Sequence, residues 1–177
     1  MGADPVTEFE AYRDELLADL GGRDPLDVLA DTPTKLEARL GGMEEAVLAA
    51  RSREGGWSVK EVLGHLGDSE WVYGYRMRMM LSHDAPEIAG YDQDVMVTGM
   101  GHNERPLSML LEELRRLRGL NLDLYLRSKG PAWERYGVHS ERGEESVDLS
   151  IRLLAGHDLR HIAQIERTMA AVSGASS

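Results

Sequence analysis

No cysteine occurs anywhere in the 177 residues, which excludes disulfides, thiolate metal ligands and a sulfur nucleophile carried by the chain itself. Any metal must then be held by nitrogen and oxygen, and any thiol chemistry needs a thiol that arrives as a separate molecule. Long apolar runs are also missing, since none approaches the roughly twenty residues that span a bilayer. Residues Met1 to Phe9 have neither the basic start nor the apolar stretch of a signal peptide, so a cytoplasmic location is expected. Val6 stands where a myristoylation signal needs Ser or Thr, and Gly2 reads as an initiator remnant. Positive charge is scarce: 20 Lys and Arg against 31 Asp and Glu give a formal net charge of -11. Such a surface repels phosphate backbones and anionic lipid heads, so neither nucleic acid nor a membrane is an expected partner. Internal repeats, low-complexity segments and heptad runs are absent as well.

What remains is an ordinary globular composition, 42% hydrophobic with 29% charged residues, of a length that suits one domain over residues 1–177. Thr7 and Glu10 form a candidate capping box for a first amphipathic helix through Phe9, Tyr12, Leu16, Leu17 and Leu20, ended by Gly21-Gly22. Asp24-Pro25 starts a short helical turn to about Ala30. Thr32-Pro33 repeats the cap-and-proline signal for a long helix through Leu36, Leu40, Met43 and Val47, which Gly41-Gly42 weakens without forbidding. Ser58 with Glu61 makes a second capping box and opens a helix that should run to about Ser82.

From His83 to Arg105 the residues read as turn and loop, long enough to be functional and to cross the molecule. Pro106 opens a helix with a clean leucine stripe up to Gly130-Pro131. Residues Ala132 to Glu145 form a second loop with room for a small hairpin, and Ser146 or Asp148 caps a last helix that frays over Ser173 to Ser177. Apolar stripes of this kind are buried only against one another, so the expected fold is all-α, a four-helix bundle with an extra short N-terminal helix in residues 1–32. The short break at Glu54 to Trp57 predicts antiparallel neighbours, and the 83–105 connection predicts that the second and third bundle helices run parallel.

Six histidines are present, and three are placed to act together. His157 and His161, at i and i+4, project from one face of the last helix. His65 lies beside Val62 and Leu66 on another apolar stripe and can join them. Three imidazoles leave coordination positions open, the pattern of a catalytic rather than a structural metal centre. His157-Asp158-Leu159-Arg160-His161 is similar to the zincin motif, but Asp158 is one methylene shorter than the glutamate base that chemistry needs. Glu61 is better read as a cap than as a fourth ligand. Asp68, one turn beyond His65, is either a partner that orients its ring or a solvated surface acid, and the surface reading is preferred. His83, His102 and His139 fall in predicted loops without partners at ligand spacing and are expected to be exposed.

Gly56 to Glu70, Ala85 to Asp92, Val138 to Gly143 and Gly156 to Gln164, taken together and in order, resemble the DinB-like superfamily, specifically its YfiT-like branch, over about Pro33 to Val172. The resemblance implies an up-down-down-up bundle that commonly forms a homodimer. It also implies one divalent ion, zinc or nickel above all, on His65, His157 and His161. The activity it implies is transfer of a low-molecular-weight thiol such as bacillithiol onto small electrophiles, a detoxification role, with the metal-bound thiol as thiolate. A metal-dependent hydrolase using metal-bound hydroxide is the alternative, and a non-catalytic metal or small-ligand binding protein is the third reading. Gln164 departs from relatives that carry a further histidine there; one turn beyond His161, it is either a contact for a bound water or thiol or a surface residue.

Overall fold

The computed structural model describes residues 7–51 and 56–174. Its long helices are α1 (Phe9–Leu20), α2 (Pro25–Leu40), α4 (Val59–Ser82), α6 (Leu107–Ser128) and α7 (Val147–Gly174), with short helices α3 (Glu45–Ala49) and α5 (Gln93–Met100) between them. Three strands, β1 (Glu87–Ile88), β2 (Tyr136–His139) and β3 (Gly143–Ser146), form a small sheet.

Several starts and stops follow local chemistry. Ser58 and Glu61 make the full reciprocal capping box of α4, and the Ser146 hydroxyl accepts from Leu149 N at 3.1 Å at the start of α7. At α1 the expectation fails, because the N-cap is Glu8 and its side chain makes no capping bond. Residues 175–177 of the predicted fray lie outside the described residues.

α2 corrects the two-helix reading of its segment. Asp24 caps it through Leu26 N at 2.8 Å, and the helix runs through Pro33 without a break. Proline cannot donate to the carbonyl four residues earlier; that carbonyl, Leu29 O, instead accepts from Arg118 Nη1 at 2.7 Å. Tertiary structure thus supplies the hydrogen bond that the sequence removes. The same helix stops at Leu40 rather than continuing to Val47: Gly41 leaves helical geometry, Gly42 takes φ +83°, and Val47 falls in α3.

α2 packs on α6 and α7, and α4 packs on the same two helices, so α2 and α4 face each other across the bundle instead of lying side by side. The expectation of adjacent neighbours is therefore wrong, although their opposite direction is right. Leu36 and Leu40 at the end of α2 share a cluster with Leu107 and Leu110 at the start of α6, whereas Leu26 and Leu29 join Tyr125 near its end. α4 and α6 run parallel, since Glu70 meets Arg118 while Met77 and Met80 meet Tyr125. α7 runs against both, with Val147 beside Met80 and Ile165 beside Leu63 and Leu66. The order is up-down-down-up, with the long crossover between α4 and α6.

That crossover is more structured than a loop. It contains β1, α5 and a 3-10 turn at His102–Glu104. β1 pairs in parallel with β2, Ile88 opposite His139, and β2 pairs antiparallel with β3 in the anticipated hairpin. Gly137 permits the approach, since a Cβ there would stand 2.3 Å from Ile88 Cδ1. α1 lies along α7, where a Cβ at Gly156 would stand 2.2 Å from Leu16 O. Among the described residues no helix is long and apolar enough to cross a membrane.

Candidate metal centre

A buried ionic network sets the rotation of α7. Asp158 is fully buried and takes a two-pronged ion pair from Arg118, at 2.7 and 3.1 Å. Arg118 Nε also donates to Glu70 Oε1 at 2.8 Å, and Asn121 Nδ2 donates to the other Glu70 oxygen at 2.8 Å. Successive helical residues are about 100° apart, so fixing Asp158 toward α6 turns His157 and His161 toward α4. On α4, His65 sits two turns beyond the Ser58 cap and is 1% exposed. Asp158 therefore faces its arginine and not the histidines, and Glu61 is engaged by Ser58 and Arg51. Both dispositions agree with the reading of the sequence.

The three imidazoles converge. His157 Nε2 lies 3.0 Å from His65 Nε2 and 3.0 Å from His161 Nε2, and one nitrogen from each ring lies within 4.8 Å of the others. Burial pushes all three pKa values down, His161 to about 4, and the mutual repulsion of the rings adds to this for His65 and His157. They are neutral at neutral pH, the form that ligates a metal. His161 Nδ1 donates to Gln164 Oε1 at 2.8 Å, which leaves its Nε2 lone pair aimed at the cluster. The Nδ1 atoms of His65 and His157 are buried without a hydrogen-bond partner among the described residues, so packing holds those two rings.

One such packing partner is Trp57, whose ring centroid is 4.8 Å from that of His65 and which stacks on His161 at 16° between planes. Trp57 Nε1 donates to Asp94 Oδ1 at 3.0 Å, tying this cover to α5. Three neutral nitrogens in such proximity cannot all find protons to share. A divalent cation accepted by nitrogen ligands resolves the surplus of lone pairs, and the donor set fits it.

Other expectations need correction. Asp68 neither orients His65 nor lies free at the surface, because its Oδ2 is 2.8 Å from His102 Nε2. His102 is 1% exposed, against the expectation of a solvated loop residue, and its ring fills the space that a Cβ on Gly64 would occupy, 2.1 Å from His102 Cγ. His139 is also buried, at 4%, with Arg76 Nη2 3.2 Å from its Nε2. Only His83 of the three is exposed. Their spacing carried no signal because their neighbours come from distant segments.

A cleft of about 320 Å3 opens beside the cluster, and His157 lines it. Its walls come from α1 (Tyr12, Leu16), α4 (Tyr73, Arg76), the crossover (Tyr91), the hairpin (His139, Arg142) and α7 (Leu153). α1, which lies outside the stretch that carries the family resemblance, thus shapes the site. Burial pushes the phenols of Tyr12, Tyr73 and Tyr91 above their usual range, so they remain hydroxyl donors. Burial, with Arg142 and Arg76 adding to it, brings His139 down to about 4.

Comparison with known proteins agrees with this architecture. A family model described as the DinB superfamily matches residues 29–165. A protein of Oceanobacillus iheyensis named "Putative metal-dependent hydrolase" is 26% identical over 162 residues, 91% of this chain and 92% of its own. YfiT of Bacillus subtilis, which bears the same descriptive name, is 27% identical over 141 residues, 79% of each chain. The solved structure of YfiT, described as a four-helix bundle of unusual topology, superposes with a TM-score of 0.72 at 23% identity, covering 96% of this chain and 94% of that one.

Proposed function

Since this chain belongs to the DinB superfamily, we propose that it is a metal-dependent enzyme whose His65, His157 and His161 hold one divalent ion. Its reaction is attack of an activated small nucleophile on an electrophile held in the adjoining cleft. The observation that carries this reading is the convergence of three neutral imidazole nitrogens from two helices within 4.8 Å, beside a cleft that His157 itself lines. Bound there, zinc or nickel would supply a Lewis acid that lowers the pKa of a coordinated thiol or water.

The chain's own groups do the rest. Gln164 fixes the tautomer and rotation of His161 through Nδ1. Trp57 and α5 keep water from one side of the cluster. Tyr12, Tyr73 and Tyr91 present hydroxyls to negative charge that develops on the electrophile.

Thiol transfer is the preferred reaction. The histidine cluster has no carboxylate within hydrogen-bond distance among the described residues; its polar partner is Gln164. A thiol, with a pKa of about 8.5, needs little help to ionise, whereas water benefits from a positioned base. A low-molecular-weight thiol of the bacillithiol kind is the matching cosubstrate. Hydrolysis is the second reading, favoured by the names of the relatives in Oceanobacillus and Bacillus.

The test is to measure metal stoichiometry on the purified chain and then follow consumption of thiol with a generic electrophile, and of an activated ester, before and after chelation. Chelator-sensitive thiol turnover that His161→Ala abolishes is the expected result. Ester cleavage without thiol turnover would transfer the case to hydrolysis, and absence of bound metal would end both.

A further inference from the structure

Two guanidinium groups line the cleft, and one of them has no carboxylate partner among the described residues. Arg76 is 4% exposed. Its partners among the described residues are the Ala89 carbonyl at 2.6 Å, His139 Nε2 and the faces of Tyr73 and Tyr91. None of these is a carboxylate. The Arg142 side chain is 9% exposed, and its Nη2 stands 3.0 Å from Glu145 Oε2. Among the described residues neither that nitrogen nor Arg142 Nε makes a well-aligned hydrogen bond, nor does Glu145 Oε2, although the Arg142 guanidinium hydrogen-bonds Tyr73. The other Glu145 oxygen accepts from Ser150 Oγ at 2.6 Å, so this carboxylate is shared between Ser150 and Arg142.

His139 adds to the imbalance. Its Nδ1 faces the Glu141 N–H at 3.2 Å while its Nε2 faces Arg76, and a neutral imidazole has only one nitrogen able to accept. Tyr73 contacts both arginines, with Arg76 Cζ 5.4 Å from its ring centroid and Arg142 hydrogen-bonded to its hydroxyl. The carboxylates that line the cleft, Asp92, Asp94 and Glu141, are exposed. Asp92 and Asp94 are already committed to Val95 N and Trp57 Nε1.

A buried cation without a carboxylate, as Arg76 is here, is costly, and a planar guanidinium favours a two-oxygen anion. We propose that the cleft binds a small organic anion, a carboxylate or a phosphate ester, with its charged end between Arg76 and Arg142 and the remainder directed at His157. About 320 Å3 is the low end of ligand pockets, which limits the occupant to metabolite size. The proposal deepens the function above by giving its substrate an anionic handle. It rests on that reading only for what happens at the histidines, since the anion's own binding requires no ion.

The experiment is calorimetric titration of the full chain, once metal-loaded and once stripped of metal and dialysed free of chelator. The probes are succinate, inorganic phosphate and the uncharged succinamide. Saturable binding of succinate or phosphate in both preparations, with succinamide inert, is the expected result, and which anion binds separates the carboxylate source from the phosphate source. Arg76→Gln and Arg142→Gln should each weaken binding by about 10–100-fold, while Arg167→Gln, on the exposed side of α7, should leave it unchanged. Circular dichroism checks that the variants fold, and the succinamide comparison tests the idea on the unaltered chain should they not. Equal binding of succinamide, no saturable binding of either anion, binding confined to the metal-loaded form, or folded arginine variants that bind as well as the original would each overturn the proposal. Anion binding by a chain that retains no metal would uphold it while removing the metal-dependent reading, so the two fail separately.

Discussion

Replacing Arg118 by leucine tests the ionic network that orients α7. Arg118 is 1% exposed and serves Asp158, Glu70 and the Leu29 carbonyl at once. Removing one partner of a buried ion pair costs about 3–5 kcal/mol. Here two carboxylates lose their cation, and Leu29 O, already deprived of a donor by Pro33, adds about 1–3 kcal/mol for an unsatisfied carbonyl. A loss of at least about 4 kcal/mol is therefore expected, a large part of the roughly 5–15 kcal/mol that holds a domain together. Urea unfolding followed by circular dichroism measures it.

The pH dependence of that loss carries its own sign. Burial, reinforced by Asp158, already raises the Glu70 pKa against the opposing pull of Arg118 and Asn121, and removing Arg118 raises it further. A carboxyl with a raised folded pKa favours the folded state most when protonated. The deficit against the original chain should thus be smallest below the unfolded carboxyl value of about 4.3 and should widen as pH rises through the folded value. Adding Glu70→Gln and Asp158→Asn to Arg118→Leu should recover much of the loss at neutral pH. A penalty under about 1 kcal/mol for the single change, or one independent of pH, would show that these charges are not buried against one another as described.

His157→Ala should abolish metal retention while the helical signal and the unfolding midpoint stay close to the metal-free original, because the apolar clusters do not depend on that ring; collapse of the fold would mean that the ion is structural. Gln164→Leu should keep the fold and weaken metal affinity by about 10–100-fold, read by competition with a chromogenic chelator. Gly64→Ala should destabilise by about 1–3 kcal/mol, since its methyl group meets the buried His102 ring. Gly119→Ala, on the exposed face of α6 with nothing within 4 Å, should stabilise by about 0.5–1 kcal/mol, and thermal melts of the pair compare the two directly. Glu61→Ala removes one arm of the capping box of α4 and should cost about 0.5–2 kcal/mol at neutral pH. Hydrogen bonds from Arg51 and Ser58 outweigh burial and lower the Glu61 pKa, so that deficit should vanish as pH falls through the folded value.

Local order in the sequence sufficed for the courses of α4, α6 and α7, the hairpin, the presence of a long crossover and the inward His157–His161 pair, because apolar periodicity, capping residues and an i, i+4 pair are written within a turn or two of chain; the meeting of His65 with that pair, 92 residues away, is made by the packed bundle. Periodicity also says which face of α4 and α7 is inward, and so where His65, His157 and His161 point. What neighbours in space supply was beyond its reach. The unbroken course of α2 past Pro33 depends on Arg118, 89 residues from Leu29. The burial of His102 depends on Asp68 and on the missing side chain at Gly64. Arg76 and Arg142 come together only when the hairpin folds over α4. A sequence determines by itself those features whose partners lie within one element, whereas charge pairing and cleft lining are decided by contacts between segments that no local pattern links, and only the packed bundle brings them within reach.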